Sequence, residues 1–435
     1  MRKRTIRIFQ AAAIAAVPLT LLAFSTGPPI KRTGAPVDGG ITCTACHRTF
    51  DLNDNSGGSI FIRAAAYTPG VKQRITVKVD HPDGRRFGFQ LTARLVSDET
   101  KEAGTFTSDE NIQVLCDPTG NAPCNGALEF AEHRQVATGA GSPGPRTFTV
   151  EWTPPATDVG QIVFYAAGNA TNNSNSNAGD HIYNTKLTIP LAGIGPKPAF
   201  TSSNVQNGAS YVAGFAPNGW VQIKGTNLAW NTRLWQAEDF ASNKLPTALD
   251  GTGVKINGKD AFVYYISPEQ VNVLAPVDDA ATGNVSVQIT TNGITSDAVM
   301  APIQRLAPAF FIFKDNHIAA RHADTSYVGP TTLYPGATTP AKPSEIIVLY
   351  GSGFGATSPA VPNGELVTTA AILANAFTLR MGGVEVTPEF AGLTATGLYQ
   401  FNVRVPASAP DGDLPVIVTI GGVSSPSTSI IRVQR

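Results

Sequence analysis

Trp220-Val-Gln-Ile-Lys-Gly-Thr-Asn-Leu228 has a counterpart in Ile346-Ile-Val-Leu-Tyr-Gly-Ser-Gly-Phe354, and this pair decides the architecture of the longer half of the chain. Both are short apolar runs that break at a glycine-bearing turn, as β-strands do. The correspondence continues outward. Gln270-Val-Asn-Val-Leu-Ala-Pro276 answers Gln400-Phe-Asn-Val-Arg-Val-Pro406, and Asn284-Val-Ser-Val-Gln-Ile-Thr-Thr-Asn-Gly293 answers Asp413-Leu-Pro-Val-Ile-Val-Thr-Ile-Gly-Gly422. The offset stays at about 126 to 130 residues, and such a repeat settles architecture before local propensity does. The Asn-Gly and Gly-Gly pairs supply the positive φ that a tight hairpin turn needs. Two similar immunoglobulin-like β-sandwich modules are expected, over 200–310 and 311–435.

Upstream, Gly and Pro crowd residues 191–199, which reads as a linker. Before it, the segments 60–66, 74–79, 87–96, 147–152, 161–167 and 186–189 are short runs rich in β-branched and aromatic residues, bounded by turn residues. Strands at that spacing make a further sandwich over 42–190, preceded by a flexible lead-in over 26–41. The 435 residues, with 42 Gly, 32 Pro and 15% charged residues, suit several β domains and leave little scope for long helices. The fold class expected is all-β, with three β-sandwich domains in tandem after a signal peptide.

That signal is read over 1–25. Arg2, Lys3, Arg4 and Arg7 precede an apolar stretch from Ala11 to Phe24, the charged and apolar regions of a secretory signal. The stretch is shorter than the roughly 20 residues of a membrane span, although an uncleaved anchor stays open as the alternative. No Cys follows it, so lipidation there is not indicated. The expected location is secreted, periplasmic or cell-surface, with no membrane span after cleavage. Removing four basic residues from the 32 leaves 28 against 32 acidic ones. That mild acidity, without a basic patch interleaved with aromatics, excludes nucleic acid as a partner.

The chemistry concentrates in Cys43-Thr-Ala-Cys46-His47. At this spacing two thiols can add to the two vinyl groups of one haem while the adjacent imidazole takes an axial iron position. A redox dithiol, half of a zinc site and a structural disulfide are the alternatives. A zinc site wants a second ligand pair at finger-like spacing. The other cysteines, Cys116 and Cys124, are instead read as a disulfide closing a short Pro/Gly-rich loop. If haem is bound, the sixth ligand decides between electron transfer and ligand binding. Met300 and Met381 lie in the repeat modules, and His317 and His322 in the second half of the chain. Among His81, His133 and His181, His133 is the choice for the second iron position beside His47. Asp51-Leu-Asn-Asp-Asn-Ser-Gly57 begins like a calcium loop, but Ile62 stands where a bidentate Glu is required. No nucleophile elbow, His-Glu-x-x-His pair or phosphate loop is present, so an enzyme is not indicated.

Gly34-Ala-Pro36, the Cys-x-x-Cys-His motif, Gly88-Phe-Gln-Leu91, Ala103-Gly-Thr-Phe106, Trp152-Thr-Pro-Pro155 and Phe164-Tyr-Ala-Ala-Gly-Asn169 resemble the Reeler-like "choice-of-anchor" secreted domains of bacteria over about 34–190. In that resemblance a His before the Trp-bearing strand falls on His133, and the closing pattern falls on Gly179-Asp-His-Ile-Tyr183. It also suggests haem attachment at the cysteines, although the flanks here are Gly- and Thr-rich where ordinary cytochromes c have a helix. Leu245-Pro-Thr-Ala-Leu-Asp-Gly251, Tyr264-Tyr-Ile-Ser-Pro-Glu-Gln-Val-Asn272, Ala307-Pro-Ala-Phe-Phe311 and Gly397-Leu-Tyr-Gln-Phe-Asn402 resemble the C-terminal domain of exported acidobacterial (Solibacter-type) proteins, itself similar to paired IPT/TIG-type sandwiches. The expectation is a secreted monohaem, cytochrome c-like module with one covalent haem c and an unidentified redox or cell-surface partner. The alternative is an extracellular adhesion or binding protein with Cys43 and Cys46 bridged and no cofactor.

Overall fold

A computed structural model describes residues 26–118, 120–278 and 282–435, so the signal read over 1–25 lies outside the described residues. The chain divides into two compact units, 1–191 and 192–435, built almost wholly from antiparallel strands. Among the described residues no helix is long and apolar enough to cross a membrane.

Among its described residues the first unit has ten strands: β1 (Ser59–Arg63), β2 (Gln73–Asp80), β3 (Arg86–Leu95), β4 (Asp98–Glu102), β5 (Thr105–Thr107), β6 (Ile112–Cys116), β7 (Glu129–His133), β8 (Arg146–Thr153), β9 (Ile162–Thr171) and β10 (His181–Ile189). One sheet has the order β1-β2-β8-β5; the other runs β10-β9-β3-β7-β6, with β4 beside β3. Ile75, Val77 and Val79 of β2 and Phe148, Val150 and Trp152 of β8 are buried in alternation with more exposed neighbours, the pattern of a sheet with one wet face. β3 and β9 do not alternate. Residues 87–94 and 162–168 are buried without a break, which requires the six-stranded sheet to be covered on both faces.

The second cover is the segment before β1. Residues 26–41, expected as a flexible lead-in, are instead docked on the outer face of this sheet. Ala35 packs on Val163 and Tyr165. Just beyond it, Cys43 packs on Ala167 and Ile182. The Pro and Gly that read as loop fix an irregular but folded path, with Pro36 opening a turn over Pro36–Asp38 and Gly39 closing it at φ 83°. Asp38 then pairs with Arg94 at 2.8 Å, their side chains 6% and 0% exposed. Burial raises the Asp38 carboxyl above its ordinary range despite Arg94 beside it, so desolvation offsets much of what the pair gains. Arg94 also donates to Thr92 Oγ1 at 2.9 Å and lies over the Phe130 ring. The expected Cys116–Cys124 disulfide is present, with a Cα–Cα distance of 5.3 Å.

The second unit holds the two repeat modules, each with its own core, around Val221, Val263 and Val287 in one and Leu349, Phe401 and Val416 in the other. Equivalent strands pair in equivalent register: Lys224 faces Gln270, as Tyr350 faces Gln400. Side-chain bonds repeat too, Ser296 Oγ accepting from Ile289 N–H and Ser425 Oγ from Val418 N–H, each at 3.0 Å. Ala309 and Phe310 already pair with Ser352 and Gly351 of the second module, so that module begins slightly before residue 311.

Asp38→Ala leaves the Arg94 guanidinium buried and unpaired. It is expected to destabilise the first unit by about 3–5 kcal/mol, read as the shift of that unit's transition in urea unfolding. A change below about 1 kcal/mol would mean that residues 26–41 are not held to the sheet as described.

Candidate functional site

The Cys43-Thr-Ala-Cys46-His47 motif folds as a single turn over Cys43–Ala45. Thr42 caps it, its hydroxyl accepting the Thr44 N–H at 3.3 Å, and the N–H groups of Cys46 and His47 both donate to the Cys43 carbonyl, at 3.1 and 3.0 Å. Cys43, Cys46 and His47 consequently line one open-mouthed cavity on the outer side of the six-stranded sheet. Cys43 and Cys46 carry no bond to each other. Burial pushes the Cys43 thiol up to about 12, so at neutral pH it stays protonated, unlike a reactive dithiol.

His47 is set by a residue 133 positions away: its Nδ1 lies 2.7 Å from Asp180 Oδ2. The Asp180 side chain is fully buried, and the Asn172 N–H donates to its Oδ1 at 3.2 Å. The Asn/Ser-rich loop is tied to the motif by Asn177 Nδ2 donating to the Cys46 carbonyl at 2.9 Å and by Gly179 N–H donating to Thr49 Oγ1 at 2.8 Å. Asn169 of β9 places its Nδ2 3.2 Å from His47 Nε2.

His133 lines the same cavity. β3 and β7 pair only at Gln90–Glu132 and Leu91–Ala131. Beyond that the strands part, and the imidazole enters the gap, its Nδ1 3.0 Å from Phe89 N and 3.1 Å from Phe89 O. Nδ1 is therefore taken by backbone, and Nε2 is the ring nitrogen left over. Gly88 makes this possible, because a Cβ there would stand 2.4 Å from His133 Cε1 and 2.8 Å from Nε2. Burial drives the imidazole down to about 4, against the opposing contact with the Phe89 backbone. It is neutral at physiological pH, as a metal-ligating histidine must be.

The other histidine candidates are elsewhere. His81 and His181 stack on each other at 4.0 Å, with Phe50 against His181 at 3.9 Å, and neither lines the cavity. Ser56 Oγ lies 3.0 Å from His81 Nε2, His181 Nδ1 and Tyr183 OH, and Asp54 Oδ2 lies 2.7 Å from His181 Nδ1. The polar turn over 51–57 thus commits its side chains to these rings. His317 and His322 belong to the second unit, near Asp413 and Glu345.

Residues 26–32, beyond the reach of the sequence reading, complete the wall. Gln90 accepts the Arg32 N–H at 2.7 Å and donates to the Pro29 carbonyl at 3.0 Å, and Gln113 donates to the Thr26 carbonyl at 2.7 Å. Glu132 accepts from both glutamines, at 2.8 and 2.7 Å; burial nonetheless raises its carboxyl to about 7. Pro28, Pro29, Phe87 and Phe89 supply apolar surface. Four cavity-lining residues also carry buried atoms without a hydrogen-bond partner: Arg32 Nε, Arg86 Nε, Asn169 Oδ1 and Asn173 Oδ1. Such orphans are few in folded proteins, and their gathering at one cavity marks it as a place for a polar-edged ligand. Among the described residues no group of three or more His, Cys, Asp or Glu side chains is arranged to hold a bare metal ion.

No protein-family model matches the chain, and no curated protein matches it. Among solved structures it is similar to the reeler domain of human F-spondin, at 19% identity over 33% of this chain and 94% of that one, with a TM-score of 0.23. It is also similar to a Bacteroides ovatus mixed-linkage glucan utilization locus protein solved with a mixed-linkage heptasaccharide, at 9% identity over 88% and 71% of the two chains and a TM-score of 0.27. A type I cohesin of Pseudobacteroides cellulosolvens is similar at 11% identity over 32% and 94%, with a TM-score of 0.21.

In protein free of ligand, the depressed His133 pKa has a signed consequence. The unfolded chain takes up this proton near 6.5 and the folded one only near 4, so the stability it confers is complete above pH 6.5 and is lost as pH falls through that window. Gly88→Ala forces the ring outward. It is expected to cost about 1–3 kcal/mol and to move the His133 titration, followed by NMR, back toward the ordinary value. An unchanged titration would refute the close packing of Gly88 on His133.

Proposed function

We propose that the first unit carries one covalently attached haem and serves as a secreted monohaem, cytochrome c-like module whose use is electron transfer. The observation that carries this reading is the pairing of two histidines on one cavity beside two unbridged thiols. Each imidazole has Nδ1 engaged, His47 by the Asp180 carboxylate and His133 by the Phe89 backbone, which is how metal-ligating histidines are oriented by their surroundings. The cavity residues fit the group: apolar walls for a flat macrocycle, thiols at the attachment spacing, and orphaned polar atoms at the rim.

Cys43 and Cys46 would hold the group through two thioether links, and His47 and His133 would hold its iron through Nε2. Asp180 engages His47 Nδ1, which orients the ring and leaves Nε2 for the iron. Asn169, which contacts His47 Nε2, would give up that contact. When bound, haem supplies a one-electron iron couple whose potential follows axial ligation and burial. The expected export and the Cys116–Cys124 bridge suit an oxidising compartment. The repeat modules would act as spacers or attachment domains toward a redox or cell-surface partner.

The mature protein, produced in a host with periplasmic haem ligation machinery, is expected to gain the mass of one haem and to show a Soret band, both abolished by Cys46→Ala. His133→Ala should keep the haem and turn a low-spin spectrum high-spin. A colourless protein lighter than its reduced chain by four hydrogens, two for the Cys116–Cys124 bridge and two more for a Cys43–Cys46 bridge, would instead identify a binding protein with Cys43 and Cys46 bridged.

A further inference from the structure

We infer that Arg32 and Arg86 form an anion subsite in the wall of the same cavity and hold the carboxylates of its occupant. This rests on the haem reading, in which the carboxylates are the two propionates. Two largely buried guanidinium groups of this chain carry carboxylate partners. Arg94 is paired with Asp38 at 2.8 Å, and Arg233 with Asp239 at 2.8 Å and Asp250 at 2.6 Å. A desolvated guanidinium needs such partners, and its planar fork matches a carboxylate in particular.

Arg32 and Arg86 are half-buried and have no carboxylate partner. Arg32 Nη1 reaches only the carbonyls of Ile30 and Lys31, at 3.3 and 3.1 Å, and Arg86 Nη1 only Asn175 Oδ1, at 3.4 Å. The Nε of each is buried without a partner, and no other arginine among the described residues has an orphaned buried nitrogen. Both line the cavity, Arg32 from the docked segment and Arg86 from the start of β3. The cavity's own carboxylate, Asp180, is committed to His47. Two positive groups from separate elements thus face a space with no free protein anion, and a ligand bearing two carboxylates would complete them.

The test uses the full mature chain carrying Cys43→Ala and Cys46→Ala, so that affinity can be read without covalent attachment. Haem is compared with its dimethyl ester, in which the propionates carry no charge. The ester is expected to bind at least about tenfold more weakly, and Arg32→Gln with Arg86→Gln should abolish the difference. Equal binding of acid and ester would overturn the subsite while leaving the haem reading intact. If the cysteine-free chain binds neither, the covalently loaded protein decides: both arginine substitutions should lower its midpoint potential, and an unchanged potential overturns the subsite. A wild-type protein that never takes up haem removes the reading and the subsite together.

Discussion

The first unit depends on covering the outer face of its six-stranded sheet. β9 presents Val163, Tyr165 and Ala167 on that side while Phe164 and Ala166 face the sandwich core, and apolar side chains on a sheet face must be removed from water by something. The chain uses its own first described residues. Ala35 and Cys43 settle on β9, and Asp38 reaches Arg94. Covering the sheet and positioning the Cys-x-x-Cys-His motif are therefore one event. The motif needs no helix of the kind that carries it in ordinary cytochromes c, because the sheet beneath it provides the rigid support.

The cavity follows from where that cover is incomplete. At one end of the sheet β3 and β7 part, Gly88 leaves space where a side chain would stand, and His133 fills the gap in the ladder with its own Nδ1. On the same cavity, His47 is fixed through a buried carboxylate. The two rings are both held at Nδ1, by different means: a carboxylate for His47, peptide groups for His133. Residues 26–32 close the remaining side through Gln90, Gln113 and Glu132, so the first described residues of the chain are part of the site's wall.

Much of this was legible in the sequence. The repeat with its offset of about 126 to 130 residues yields two modules with matching register because identical polar devices, such as Ser296 and Ser425, recur at matching places. The Cys116–Cys124 bridge also read correctly, since its spacing and turn residues are local, and the structure places Cys43, Cys46, His47 and His133 on one cavity that His81 and His181 do not line. The docked lead-in did not. Its Pro and Gly content looks like loop, and the clue lay elsewhere, in the unalternating run at 162–168 that implies a second cover. Asp180, Asn169, Arg32 and Arg86 were missed as site residues because their roles come from side-chain meetings across more than a hundred residues or across separate elements, which no local pattern encodes.

His47 and His133 line one cavity and, in the proposed reading, would both ligate one iron. Electron paramagnetic resonance of the oxidised mature protein, produced with haem ligation, tests it most directly. A single low-spin ferric signal typical of two imidazole ligands is the predicted result. A high-spin signal in the wild-type protein would place His133 outside the iron's coordination, and the absence of any haem signal would contradict the account as a whole.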